Sequence, residues 1–282
     1  MRILKKLTFY SAFGFLIYKL CTSATDGFSM RKIHSDLRTH SEWKTKGTEI
    51  PDLSFSYMGH GAQTYAFISS DRKYVLKFYR HNRAGHPLGF LATLLPPPLK
   101  KSLLATIEKR QNKRLKDFSS YMLSYHHFAK ETGLLHLHLN PSHLPKKVKI
   151  YDKIGVEYLV DLSSMQFILQ NFAEPFYPSL EKWISHGEIE FAKKQLSQLI
   201  ALLKTRCQKG IFDKDPDLKT NFGFTEEGPM QFDIGRFKFD PERANPNVYR
   251  EDLIRITDRL YQWLEERAPA LSAHLKEEIA KA

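Results

Sequence analysis

Carboxylate side chains gather in one short stretch of an otherwise basic chain. The stretch reads "GIFDKDPDLKTNFGFTEEGPMQFDIGRF" and ends at Phe237. A solvated loop would account for one or two such acids. Several carboxylates with an amide between them also suit Mg²⁺, which prefers hard oxygen ligands. The candidate ligands are Asp213, Asp215, Asp217, Asn221 and Asp233.

Two features in the strand-rich first half of the chain could bind phosphate. The segment "GHGAQTYAF", from Gly59 to Phe67, lies between two predicted strands. Its glycines would let a hairpin backbone approach phosphate oxygens and present N–H groups to them. Lys77 follows within the apolar strand "YVLKF". Taken alone, the first feature is also typical of an ordinary turn, and the lysine could point to solvent by strand alternation.

In this order, the segments resemble the motifs of the protein-kinase-like superfamily. "GHGAQTYA" is similar to the glycine-rich loop, with Thr64 in place of the third glycine, and "YVLKF" to the strand that carries the phosphate-binding lysine. "DKDPDLKTN" resembles the catalytic loop, and "DIG" resembles the metal-binding Asp-Phe-Gly motif. The resemblance covers roughly Phe55 to Trp263. It implies an α+β, two-lobed fold with a small antiparallel-sheet N-lobe and a shortened helical C-lobe.

The resemblance also implies an ATP site in the first half of the chain. Gly59 and Gly61 would cover the ATP phosphates, and Lys77 would contact the α- and β-phosphates. Gln170 and Phe172 would belong to the hinge whose backbone meets adenine.

In the second half, the resemblance implies a magnesium site and a catalytic base. Asn221 and Asp233, twelve residues apart, would hold Mg²⁺ between the terminal phosphates. The family's usual interval places the base at Pro216, which cannot serve. We therefore expect Asp215 to be the base, with Asp217 and Asp213 as alternatives.

Active protein kinases pair the strand lysine with a glutamate on a helix. Glu108, Asp117 and Glu131 lie on the predicted helix, but none has a diagnostic spacing, so no partner is assigned. If the partner is missing, the alternative is a catalytically weak pseudokinase that acts as a membrane-associated binding module.

Only 49 residues follow Asp233, and they contain no Ala-Pro-Glu motif. A full peptide-binding lobe does not fit in this length. We therefore expect an ATP- and Mg²⁺-dependent phosphotransferase that acts on a small-molecule or lipid-sugar acceptor rather than on a peptide.

The net charge of +12 indicates an anionic partner or a solvated basic face. An anionic or membrane-bound acceptor fits this charge. Nucleic acid is not favoured, because the chain lacks zinc-ligand spacing and interleaved aromatic and Arg residues.

The apolar run from Leu7 to Leu20 is shorter than the roughly 20 residues of a membrane span. It is expected to be a signal peptide or a membrane-surface anchor. The predicted domains are residues 1–30 as this segment, 31–171 as the N-lobe and 172–282 as the C-lobe.

Periodicity predicts a helix from about Leu103 to Glu131, preceded by a proline-rich loop that includes "LLPPPLKK". A buried helical stripe runs from Ile189 to Leu203, and Cys207 at its end is expected to be a packing residue. The last clear helix carries Trp263.

Overall fold

The computed structural model describes residues 2–34, 39–81, 95–142 and 146–282. The chain divides into two units. The first is formed by Met1–Leu94 and His138–Leu169, and the second by Leu95–Leu137 and Gln170–Ala282. The first unit is rich in strands and the second is mainly helical, which confirms the predicted α+β class. The predicted boundary at residue 171 lies close to the start of the second unit's main segment, but residues 95–137 also belong to that unit.

The elements are numbered in chain order. The helices are α1 (Arg2–Ala24), α2 (Met30–Ile33), α3 (Pro97–His127), α4 (Phe176–Ser185), α5 (Ile189–Gln208), α6 (Leu218–Asn221), α7 (Pro246–Arg267) and α8 (Pro269–Lys281). The strands are β1 (Ser54–His60), β2 (Thr64–Ser69), β3 (Tyr74–Tyr79), β4 (Leu134–His138), β5 (Lys147–Tyr151), β6 (Glu157–Asp161), β7 (Phe167–Asn171), β8 (Glu174–Pro175), β9 (Ile211–Asp213), β10 (Phe222–Thr225), β11 (Gly228–Gln231) and β12 (Phe237–Phe239).

The sheet of the first unit places its strands in the order β7-β3-β2-β1-β5-β6. Strands β1, β2 and β3 form an antiparallel meander, as do β5 and β6. Strands β1 and β5 are parallel. The sheet is therefore mixed rather than wholly antiparallel.

An aromatic cluster covers one face of this sheet. Along β2, burial alternates with a period of two, and Tyr65 and Phe67 face the core. Phe28 packs edge-on against both rings, with centroids 5.2 and 5.3 Å away. The hydroxyl group of Tyr65 donates to the carbonyl of Gly27 at 2.8 Å. The end of the predicted N-terminal segment thus belongs to the core of the first unit.

The prediction of a membrane or export segment at the N-terminus is wrong. The apolar run forms α1, but no helix among the described residues is long and apolar enough to cross a membrane. The physical reason is composition, since Lys5, Lys6 and Lys19 flank or interrupt the run.

The helices of the second unit follow the predicted apolar stripes. Leu196, Leu199 and Leu203 of α5 are fully buried, and Cys207 at the end of the stripe is also buried. The stripe of α7 includes Leu260, which is likewise fully buried. These helices form the core on which the short strands β9 to β12 are placed.

Prolines explain two differences in helix boundaries. Pro97 occupies the start of α3, where its missing N–H has no intrahelical partner in any case. The helix therefore begins before the predicted Leu103, and it ends at His127 rather than Glu131. Residues 85–94 of the predicted proline-rich loop lie outside the described residues. Pro269 likewise begins α8, a helix that periodicity did not predict.

Candidate functional site

The glycine turn and Lys77 share one row of the first unit's sheet. Gly59 pairs with Ala66 on β2, and Ala66 pairs with Lys77 on β3. Directly opposed residues of antiparallel strands project from the same face, so Lys77 projects from the face on which the Ala66 methyl group lies. The methyl group of Ala66 takes up little of the space beside the lysine stem. A β-bulge between Tyr57 and Gly59 reshapes the strand where it enters the turn.

Arg80, just after β3, holds the glycine turn. Its Nη1 donates to the carbonyl of Gly61 at 2.7 Å and lies 3.0 Å from Nδ1 of His60. Its backbone N–H donates to the carbonyl of Gln63 at 2.8 Å. The guanidinium carbon lies 4.7 Å from the centre of the Tyr65 ring. Sequence reasoning missed Arg80, because a cation at a strand end is typical of any solvated surface.

The three candidate bases occupy different environments, and Asp213 is buried. Only 1% of this residue is exposed. Its Oδ1 accepts the backbone N–H of Asp215 at 2.9 Å, and Nε2 of Gln231 donates to its Oδ2. Burial raises the pKa of Asp213, while the Arg206 guanidinium, 3.6 Å away, opposes the rise. Asp213 therefore shapes the loop and is not accessible to a substrate hydroxyl.

Asp217 caps a helix, and Asp215 is accessible. The Asp217 carboxylate accepts the N–H of Lys219 and the hydroxyl of Thr220, both at 3.1 Å, at the N-terminus of α6. The Asp215 side chain is 53% exposed and lies 3.5 Å from Nη1 of Arg236. Of the three acids, Asp215 is the most exposed, Asp217 is half-buried and engaged in capping, and Asp213 is buried.

Asn221 connects the loop of Asp215 with the segment of Asp233. Its Nδ2 donates to the carbonyl of Asp215. Its own carbonyl accepts the backbone N–H groups of Phe232 at 2.9 Å and Asp233 at 3.4 Å. The Thr220 hydroxyl is shared between Oδ1 of Asn221, 3.0 Å away, and the Asp217 carboxylate. The structure thus brings together Asp215, Asn221 and Asp233 within the second unit.

Ser120 of α3 fixes the segment that follows Asp233. Its hydroxyl donates to the carbonyl of Ile234 and accepts the N–H of Phe237 at 2.6 Å. Ser120 is only 1% exposed, so both bonds are shielded from water. The turn that carries Arg236 lies between these two anchors. Nothing in the sequence distinguishes this serine from others on the helix, and sequence reasoning missed it.

Asp117, one turn before Ser120, lies near the same segment. Burial raises the pKa of Asp117 to about 6. The positive charges of Lys113 and Arg236 oppose this rise, and the negative charge of Asp233 adds to it.

The other two acids considered as lysine partners have different surroundings. Glu108 is exposed on α3. Glu131 forms an ion pair with Lys209 at 2.9 Å. Of the three, Asp117 is the acid that lies one turn from Ser120, which contacts the segment after Asp233.

The expected hinge residues, Gln170 and Phe172, lie at the start of the second unit's main segment. The Gln170 side chain is buried, and its Nε2 donates to the carbonyl of Thr132 at 2.9 Å. The backbone N–H of Asn171 donates to the carbonyl of Gly133 at 2.8 Å. The Gln170 side chain is thus used internally, and only its backbone could meet a ligand.

Within the described parts of the chain, no group of three or more His, Cys, Asp or Glu residues is arranged to hold a metal ion. Asn221 and Asp233 offer a smaller, all-oxygen set. Magnesium commonly takes one or two carboxylates and completes its shell with substrate phosphates and water. The chemistry of this pair fits such an ion.

A buried arginine organises the core beneath this site. Arg206 of α5 is fully buried, and its Nη1 donates to Oε1 of Gln231 at 2.8 Å. Its Nη2 lies 3.9 Å from the carboxylate of Asp252 on α7. Because Gln231 also binds Asp213, one network joins α5, α7, β9 and β11.

No protein-family model matches the chain, and no curated protein matches it. Solved structures of the bifunctional kinase-methyltransferase WbdD are similar to it. A medium-resolution structure is 14% identical with a TM-score of 0.34, and covers 81% of this chain and 47% of that chain. A high-resolution structure is 15% identical with a TM-score of 0.32. This match covers 78% of this chain and 44% of the WbdD chain. The chain spans less than half the length of these WbdD chains. At these identities and TM-scores, the similarity does not indicate an activity for this chain.

Proposed function

We propose that this protein transfers the γ-phosphoryl group of ATP, with Mg²⁺, to a hydroxyl group of a small-molecule or lipid-sugar acceptor. The observation that carries the proposal is the double role of Asn221. One residue binds the Asp215 loop through its side chain and the Asp233 segment through its backbone. Asn221 thereby holds the proposed base and the two proposed oxygen ligands in one part of the second unit, as phosphoryl transfer requires.

Asp215 is the proposed base. In the reaction, the acceptor oxygen forms a bond to the γ-phosphorus while the bond to the β–γ bridging oxygen breaks and ADP leaves. Asp215 orients the hydroxyl and accepts its proton. The backbone bonds to Asp213 and Asn221 hold the Asp215 loop, so the carboxylate needs little rearrangement before it acts.

Asn221 and Asp233 are the proposed magnesium ligands. A bound ion would neutralise negative charge on the terminal phosphates. The chain's contribution is to fix these oxygens, and Thr220, Phe232 and Gly235 do so through hydrogen bonds to the two residues.

In the first unit, Gly59, Gly61 and Lys77 are the proposed phosphate-binding residues. The shared row of Gly59, Ala66 and Lys77 supports this role, because it places the lysine directly across β2 from the residue that leads into the turn. Arg80 supports it further by fixing the Gly61 carbonyl, which shapes the turn that would cover the nucleotide.

The experiment compares Mg²⁺-dependent ATP hydrolysis and nucleotide-induced thermal shift in wild type, Asp233→Asn and Asp217→Asn. We expect Asp233→Asn to lose the metal-dependent part of both signals, because a neutral amide binds Mg²⁺ less well than a carboxylate. Asp217→Asn is the matched control, since asparagine caps a helix about as well as aspartate. It should behave as wild type.

Equal responses of wild type and Asp233→Asn would overturn the proposal. Nucleotide binding that depends on Asp233 without any turnover would instead identify a pseudokinase that acts as a binding module.

A further inference from the structure

Two cations of the second unit lie on segments that contact each other. Arg236 lies 3.5 Å from the Asp215 carboxylate. Lys113 lies on α3, whose Ser120 contacts the segment that carries Arg236.

The backbone holds Arg236 in this place. Ser120 binds the carbonyl of Ile234 and the N–H of Phe237, the neighbours on either side of the turn. Lys113 stands one turn before Asp117 on the same helix, and residues four apart share a helix face. Lys113 and Arg236 are therefore carried by two segments that Ser120 joins, and Arg236 contacts Asp215 directly.

The ion pair between Arg236 and Asp215 can be exchanged at little cost. The two side chains are 56% and 53% exposed, and exposed pairs of this kind contribute only about 0–1 kcal/mol. A second anion could draw the guanidinium away and leave the Asp215 carboxylate to receive the acceptor hydroxyl. A guanidinium suits this task, because it binds phosphate oxygens in a bidentate manner.

We infer that the acceptor carries a phosphate monoester, which Arg236 and Lys113 bind beside the hydroxyl that Asp215 deprotonates. This inference rests on the proposed function, since it names the substrate class of the same site. A dianionic phosphate fits two cations better than a single carboxylate does. The position of Arg236, paired with the base, assigns it to the acceptor rather than to ATP.

The experiment titrates inorganic phosphate into protein saturated with Mg²⁺ and a non-hydrolysable ATP analogue, so that the nucleotide phosphate site is filled. Calorimetry measures the affinity at constant ionic strength, and acetate replaces phosphate in a second arm. The variants are Arg236→Gln and Lys113→Gln. Lys101→Gln is the matched control, because it removes one exposed charge from the same helix about 18 Å away.

We expect saturable phosphate binding that weakens by about tenfold in Arg236→Gln and in Lys113→Gln, as the loss of one charge-assisted contact implies. Lys101→Gln should bind phosphate as wild type does, and acetate should bind more weakly. The affinity of Lys113→Gln for the nucleotide analogue should be unchanged.

Four results would overturn the inference: no saturable phosphate binding in wild type, equal weakening in Lys101→Gln, acetate binding as tight as phosphate, or lost nucleotide affinity in Lys113→Gln. The failure of the proposed function is a separate result. It would appear as absent nucleotide binding or as hydrolysis that does not depend on Asp233. Nucleotide binding and hydrolysis that persist without phosphate binding would remove the acceptor class alone.

Discussion

The aspartates at positions 213, 215 and 217 differ in exposure and in hydrogen bonding because their neighbours differ. Asp213 is enclosed by Arg206 and Gln231, and Asp217 satisfies the first N–H groups of a helix. Asp215 between them remains accessible. Strand alternation alone would place these three residues on one face, but the chain bends directly after β9 and turns into α6, so each meets different neighbours. The exposure of Asp215, rather than its residue type, supports its proposed role as the base.

The raised pKa of Asp117 predicts a pH-dependent effect of Asp117→Asn. Burial raises the folded-state pKa to about 6 from an ordinary value of 3.8. The folded state therefore disfavours the ionised carboxylate. The free energy of unfolding of wild type should fall relative to that of the variant as pH rises from 3.8 to about 6. Urea unfolding between about pH 4 and about pH 7, in EDTA, would measure the difference.

Asp71→Asn provides a control of opposite sign for that experiment. The Ser69 hydroxyl, 2.6 Å away, lowers the pKa of Asp71, so its carboxylate contributes stability above its ordinary pKa and loses it as pH falls. A stability difference for Asp117→Asn that stays constant with pH would contradict the assignment of a buried, penalised carboxylate.

At the scale of elements, Ser120 is the contact that joins α3 to the segment between Asp233 and β12. Ser120→Ala would leave the carbonyl of Ile234 and the N–H of Phe237 without this partner. We expect a loss of about 1–3 kcal/mol in the free energy of unfolding, the usual cost of unsatisfied buried polar groups. Chemical denaturation would measure it.

Ser119→Ala is the matched control for this prediction. The Ser119 hydroxyl donates to the carbonyl of Leu115 on an exposed face of the same helix. Its removal should change stability by less than about 0.5 kcal/mol. Equal effects of the two substitutions would show that Ser120 has no special role.

Sequence periodicity predicted the elements that bury a continuous stripe, and it failed where tertiary contacts decide. The stripe ending at Cys207 was confirmed because Leu196, Leu199 and Leu203 repeat at helical spacing. The parallel pairing of β1 with β5 could not be predicted, since it joins segments distant in sequence. Asn221 and Asp233 were predicted as ligands from their motifs. Arg236 and Ser120 gain their importance only from contacts across the fold.

At the scale of the whole molecule, charge is unbalanced. Forty-three basic and 31 acidic residues give a net charge of +12, and like charges repel across a folded surface. Local ion pairs, such as that between Lys153 and Asp26 at 2.7 Å, act in the opposite direction. Exposed pairs of this kind contribute only about 0–1 kcal/mol each, so the net repulsion should dominate.

Added salt should therefore stabilise the protein. Raising NaCl from about 20 to about 150 mM shortens the Debye length to about 8 Å, which screens distant repulsion more than close pairing. We expect the Tm to rise by about 2–4 °C, in proportion to the free energy recovered. The variant in which Lys100 and Lys101 both become Glu lowers the net charge from +12 to +8, because each change removes two charges. Its Tm should rise less with salt, measured by thermal unfolding in NaCl and KCl. A Tm that falls with salt in wild type would show that attractive pairs, not net charge, dominate the electrostatics of folding.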